Sequence, residues 1–158
     1  MSKIILYSFF KSGNEAYNGI KIYRSTLFPR GNGSGLKLML NYFSFAFFAS
    51  IRALFLKEKY DLVFVYEPSP ITVGIPAIVL AKKLGIPIYF WVQDLWPESV
   101  SAAGQLHNKF VLKYLDNLTK WIYKNSKSVL IQSEGFREYI LSQGVKDNKI
   151  IYYPNSTE

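Results

Sequence analysis

An apolar run, Ile86 to Val92, passes directly into Gln93-Asp94-Leu95-Trp96-Pro97-Glu98-Ser99, so an amide and two carboxylates follow a buried segment at once. In open α/β sheets the loops at the carboxyl ends of parallel strands carry the chemistry, because the sheet below holds them rigid. Asp94 therefore heads the candidate residues. Other apolar runs end in a similar way: Glu67 and Ser69 follow the first, Gln132 and Ser133 the third, and Asn155 the fourth. Brought to one edge by parallel strands, these carboxylates, amides and hydroxyls suggest a cleft for a polar ligand. Taken singly, Ser133 and Asn155 are also good helix caps or turn formers. Glu98, just after Pro97, equally suits the positive end of a helix.

Several other chemistries are excluded by composition. The chain has no cysteine, which removes disulfides, thiolate metal sites and cysteine nucleophiles together. Its one histidine, His107, leaves no basis for a histidine metal site or a Ser-His-Asp triad. Neither a metal nor another cofactor is expected.

The elements that must position these residues alternate from Tyr60 onward. Strands are predicted over Leu62–Tyr66, Ile86–Val92, Lys127–Gln132 and Lys149–Tyr153. Helices are predicted over Ile71–Leu84, His107–Asn125 and Glu134–Gln143, the last capped by Ser133. Near-continuous apolar strands between amphipathic helices indicate a doubly wound α/β domain, with a parallel sheet, right-handed crossovers and cover on both faces. At 158 residues the chain is expected to form a single domain.

The start reads differently. Lys3–Ser8 and Ile20–Ser25 look like strands, but Gly13, Asn14 and Gly19 punctuate the short gap and no crossover helix fits there. No glycine-rich loop leads from a first strand into a first helix, so the usual phosphate cradle of such folds is missing. The glycines come later, in Pro29-Arg30-Gly31-Asn32-Gly33-Ser34-Gly35, just before the most apolar helix, Leu36–Leu56, whose only charges are Lys37 and Arg52. Asn41, Ser44 and Arg52 interrupt the roughly 20 apolar residues that a bilayer span needs, which favours burial against the sheet. The alternative is a helix in the membrane interface, with Phe43, Phe47 and Phe48 in lipid and Arg30 and Lys37 at phosphates.

Charge bears on partners. Net charge is +8, so the surrounding field favours anions: phosphate groups, anionic lipid or nucleic acid. No RNA-binding motif, zinc-finger spacing or arginine cluster is present, and the cations are mostly dispersed lysines, so nucleic acid is not expected. In the helix His107–Asn125, Lys109, Lys113, Lys120 and Lys124 share one side, read either as a solvated face or as a rest for an anionic membrane surface. Met1 to Phe10 lacks the apolar stretch and cleavage site of a secretory signal. A cytoplasmic protein, peripheral to the inner face of the plasma membrane, is expected.

The runs Tyr17-Asn18-Gly19-Ile20-Lys21-Ile22-Tyr23-Arg24, Pro29-Arg30-Gly31-Asn32-Gly33, Leu40-Asn41-Tyr42-Phe43-Ser44-Phe45-Ala46, Ser69-Pro70-Ile71-Thr72-Val73-Gly74, Asp94-Leu95-Trp96-Pro97-Glu98-Ser99 and Ser133-Glu134-Gly135-Phe136 recur in order. Together they resemble the amino-terminal half of family 4 glycosyltransferases, and more narrowly the bacterial surface-polysaccharide enzymes that include N-acetyl-L-fucosamine transferases. The Asp-Leu-Trp-Pro-Glu-Ser element is the specific one.

The resemblance implies one half of a GT-B fold: a Rossmann-like acceptor domain that faces a nucleotide-sugar donor domain, with retention of configuration and no obligatory metal. Because residues 1–16 offer no equivalent of the family's first strand, glycine loop and helix, the sheet is expected to be incomplete at its N-terminus. Pro154 and Asn155 match the interdomain hinge, so the donor domain is expected to lie outside this chain. Asp94 would be catalytic, accepting a hydrogen bond from the acceptor hydroxyl or acting as base were its pKa raised by Trp91, Trp96 and burial. Glu67, Ser69, Gln93, Trp96, Glu98 and Ser133 would bind acceptor, and Arg30 and Lys37 the diphosphate of a lipid-linked acceptor or a membrane. The implied function is transfer of a sugar from a nucleotide-sugar to a lipid-linked saccharide in polysaccharide assembly, in concert with a donor domain or partner chain. The alternatives are a non-catalytic docking subunit that pairs with a donor-binding chain, and an inactive remnant.

Overall fold

The computed structural model of the chain describes residues 4–8, 13–29, 35–102 and 108–155. Three N-terminal strands, β1 (Ile4–Ser8), β2 (Gly13–Tyr17) and β3 (Ile20–Ser25), form a small sheet in the order β1-β3-β2. β1 runs parallel to β3, and β2 pairs with it antiparallel as a hairpin. The hairpin closes on Asn18 and Gly19, whose φ values of 46° and 79° give the mirror-image turn that matches strand twist. The strand β2 was not among the predicted elements, although Asn-Gly is the strongest short-range hairpin signal.

The long helix α1 (Gly35–Phe55) leads into the second sheet, which contains β4 (Val63–Glu67), β5 (Ile88–Val92), β6 (Ser128–Ile131) and β7 (Ile150–Tyr152), all parallel. Between these strands lie α2 (Gly74–Leu84), the short α3 (Glu98–Ala102), α4 (Lys109–Asn125) and α5 (Arg137–Ser142). Local chemistry sets several boundaries. Gly85 ends α2 in the left-handed region at φ 67°, which a side chain would disfavour. Asn108 caps α4, its Oδ1 accepting from the amides of Phe110 at 2.9 Å and Val111 at 3.3 Å. The segment predicted as one helix over Ile71–Leu84 opens instead with a 3-10 turn, Ile71–Val73.

The strand order β4-β5-β6-β7 never reverses. Right-handed crossovers in a single direction place their helices on one face, and there Val65, Phe90, Val92, Val129 and Ile131 form the core with Leu115, Ile122 and Ile140. Gly74 lets α2 approach α4 closely, since a Cβ there would lie 2.7 Å from Ile122 Cγ2. On the opposite face Phe64, Tyr66, Trp91 and Tyr153 stack on one another, with centroids 5.1 to 6.4 Å apart, and remain partly exposed. Cover on both faces, expected from the apolar strands, is thus not met for this sheet among the described residues. Strand alternation explains the aromatic run, because Phe64 and Tyr66 share a face with Tyr89 and Trp91.

Helix α1 packs along α2 and also touches β3, with Leu38, Tyr42, Phe45, Ala46, Ala49 and Ala53 buried, so its cover is mainly a neighbouring helix and not the parallel sheet against which burial was expected. Behind it, Lys21 and the Tyr23 hydroxyl both donate to Glu58 Oε1 at 2.9 Å, tying β3 to the segment after α1. These two hydrogen bonds hold the Glu58 carboxyl down at about 2.

Candidate functional site

The carboxyl ends of β4 to β7 meet at one edge, and a chain of hydrogen bonds crosses it. The Gln93 amide, just past β5, donates to the Glu67 carbonyl at the end of β4, at 3.1 Å. Gln132, just past β6, donates from Nε2 to the Gln93 carbonyl at 2.9 Å. Asn155, three residues after β7, donates from Nδ2 to Gln93 Oε1 at 3.0 Å and also to Gln132 Oε1. Three carboxamides from three strand ends therefore form one cluster, and it keeps unused donor capacity: Gln93 Nε2 is buried without a partner among the described residues.

Asp94 stands beside this cluster, half-buried, with Oδ2 accepting from the Ser99 hydroxyl at 3.0 Å. Ser99 reaches it because α3 begins at Glu98 and turns the chain back over the strand end. Among the described residues Oδ1 has no hydrogen-bond partner. Beneath Asp94 lies Glu67, fully buried, with neither carboxyl oxygen hydrogen-bonded among the described residues. Burial first, and the neighbouring Asp94 charge second, push the Glu67 carboxyl well above the usual range. The amides of Asp94 and Gln93 lie near enough to draw it slightly back down without closing a hydrogen bond. Tyr123 on α4 is also fully buried, its hydroxyl pushed upward by burial and then by the charge of Glu67. Two carboxyls in contrasting settings result, one sealed in the core and favouring its neutral form, the other at the edge.

The expected acceptor residues separate into two layers. Gln93 and Asp94 lie at the edge, and Ser69 follows β4 with a positive φ of 142°. Glu67 and Trp96 lie beneath it. Trp96 is wholly buried, edge-on to the Tyr42 ring at 5.6 Å, and its carbonyl accepts from the Tyr139 hydroxyl at 2.7 Å. Neither side chain can touch a ligand in this state; both shape the loop above. Glu98 occupies the first turn of α3, the helix-terminal position that is its alternative reading. The Ser133 hydroxyl accepts from the Gly135 amide at 3.3 Å, which is a capping contact.

Lys37 is exposed in the first turn of α1, and Arg30 lies outside the described residues, as does His107. Pro154 is exposed beyond β7, and Asn155 is bound to the amide cluster. A hollow of about 290 Å³ lies at the other end of the strands, lined by Ile78, Lys82, Pro87 and Ser126. It holds no carboxylate and is remote from this edge. Sequence reasoning missed Ser99 and Tyr139, whose contacts depend on α3 and α5 folding back over the strand end.

The family described as the glycosyl transferase 4-like domain matches residues 11–156, nearly the whole chain. The chain belongs to that family. Comparison with curated proteins finds no match. The parallel sheet and its helices are accordingly a Rossmann-like half of a GT-B fold, and the glycosyl transferase 4-like domain identifies the chain as a glycosyltransferase domain. In the glycosyl transferase 4-like domain described here, the edge bearing Asp94 is where the strands open toward solvent.

Proposed function

We propose that this domain holds the acceptor in a retaining glycosyltransferase that moves a sugar from a nucleotide-sugar to a lipid-linked saccharide in bacterial surface-polysaccharide assembly. The sequence resembles the surface-polysaccharide enzymes that include N-acetyl-L-fucosamine transferases, which supports this substrate class. The nucleotide-sugar is bound by a second domain, on the same or a separate chain. The observation that carries this reading is the convergence, in a family 4 glycosyltransferase domain, of Asp94 with the Gln93–Gln132–Asn155 cluster at the open strand edge.

The chemistry asks mainly for placement. In a retaining transfer the anomeric carbon loses its bond to the diphosphate oxygen and gains one to the acceptor oxygen on the same face. The greatest contribution of an acceptor domain is to hold that hydroxyl beside the carbon. Asp94, fixed through Oδ2 by Ser99, accepts the acceptor hydroxyl's hydrogen bond through Oδ1. Gln93, its Nε2 buried, anchors Gln132 and Asn155 beside Asp94, and Asn155 couples the cluster to the segment that leads toward the donor side.

The test is glycosyl transfer by the purified chain with and without a separately expressed donor domain, with UDP- and GDP-sugars and a prenyl-diphosphate-linked acceptor. Turnover with the donor domain present, lost on Asp94→Asn, supports the reading. A folded chain that gives no turnover in any combination overturns it in favour of a docking subunit or an inactive remnant.

A further inference from the structure

Helix α1 is long and apolar enough to cross a membrane by length and composition, yet it packs along α2 through one side. Its other side is uncovered among the described residues. Leu36, Leu40, Phe47, Ile51 and Leu54 recur at helical spacing along a single stripe and are each 40% exposed or more, Leu36 reaching 82%. The stripe extends onto α4, because Phe43 meets the Tyr114 ring at 6.1 Å, and beside Tyr114 the Phe110 ring is 87% exposed. Contiguous apolar surface of this kind marks an interaction site on a soluble domain.

The charges around it point to the partner. Arg52 turns inward, donating to the Arg24 carbonyl at 3.0 Å, but the exposed residues of α1 and α4 include five cations, Lys37, Lys109, Lys113, Lys120 and Lys124, and the two helices carry a single acid, Asp116. That acid is bound by Lys120 at 2.7 Å. Lys109 and Lys113 are exposed on the same turns as Phe110 and Tyr114. A second copy seated on the stripe would bring cations against cations, whereas an anionic lipid surface supplies the opposite charge. Aromatic and aliphatic side chains flanked by lysine are the composition of helices that lie in the membrane interface.

We infer that the outer stripe of α1, with the first turns of α4, is a docking surface for an anionic lipid bilayer. The helix lies in the plane of the membrane: its inner side stays in the protein core, its outer apolar side enters the headgroup boundary, and the lysines of α4 meet lipid phosphates. Alone, the length and apolarity of α1 suit a transmembrane span, but its inner side is already used by α2.

The experiment is co-sedimentation of the full chain with vesicles of phosphatidylcholine alone and of phosphatidylcholine with phosphatidylglycerol. It is repeated with Leu40→Glu/Phe47→Glu and with Lys109→Glu/Lys113→Glu, and thermal unfolding and light scattering are recorded for each. All four positions are exposed, so folding should be retained. The expected result is binding to the anionic vesicles only, weakened by salt and reduced about tenfold or more by either double variant. Failure of the wild-type chain to sediment, or equal binding by the Leu40→Glu/Phe47→Glu variant, overturns the inference. A dimer that this variant dissociates also overturns it, assigning the stripe to a second copy.

Discussion

Replacing Glu67 with methionine should stabilise the chain at neutral pH while impairing transfer. Glu67 is fully buried and neither carboxyl oxygen is hydrogen-bonded among the described residues. Leaving a buried polar group unsatisfied costs about 1–3 kcal/mol, and methionine is an apolar side chain of similar volume that needs little repacking. The expected gain is therefore about 1–3 kcal/mol, and in a chain of this size each kcal/mol raises the melting temperature by roughly 2–4 °C. The gain must also depend on pH. Burial raises the folded-state pKa of Glu67. As pH climbs through the ordinary carboxylate range, the unfolded chain releases its proton while the folded chain retains it, so wild-type stability falls until the folded pKa is reached. Below that range the pH-dependent part of the penalty is absent. Urea denaturation of wild type and Glu67→Met at a series of pH values should thus show the smallest difference near about pH 4 and a growing one toward neutrality, each unit of separation in pKa being worth about 1.36 kcal/mol. A methionine variant that is less stable at neutral pH, or a difference that does not change with pH, would refute the reasoning. Loss of transfer despite higher stability is the signature of an acid retained for its site.

Two further outcomes test the packing. Gly74→Ala should destabilise the domain by about 1–3 kcal/mol in chemical denaturation, through the clash with Ile122 Cγ2, while leaving the fold intact. Glu58, held at about 2 by Lys21 and Tyr23, stabilises the link between β3 and the segment after α1 at pH above the ordinary carboxylate value. That stability is lost as pH falls from the ordinary value toward about 2, and Glu58→Gln should flatten this part of the stability profile.

Much of the parallel sheet was legible because buried strands read as unbroken apolar runs, and β5, β6 and β7 lie within the predicted ranges. The order of those strands is not written locally, so the one-sided helix layer and the aromatic face around Trp91 emerged only from the three-dimensional pairing. Glu67 shows what alternation could have supplied. It continues the inward series Val63, Val65, Glu67, and extending the predicted strand by one residue places its side chain with the core. Trp96 was harder: a tryptophan in an acidic loop reads as a ligand contact, and its burial depends on elements far away in sequence, among them α1, whose Tyr42 ring lies edge-on to it. Asp94, Gln93, Gln132 and Asn155 were visible because polar residues after parallel strands share one edge whatever the strand order. Their mutual hydrogen bonds depend on side-chain reach and were not.

The most direct measurement of the central claim is the rate of sugar transfer to a prenyl-diphosphate-linked acceptor by the chain combined with its donor domain, for wild type and Asp94→Asn. The account expects turnover for wild type and a fall of about 10²-fold or more for the variant, with unchanged folding. Equal rates for the two proteins would contradict the placement of the acceptor hydroxyl at Asp94.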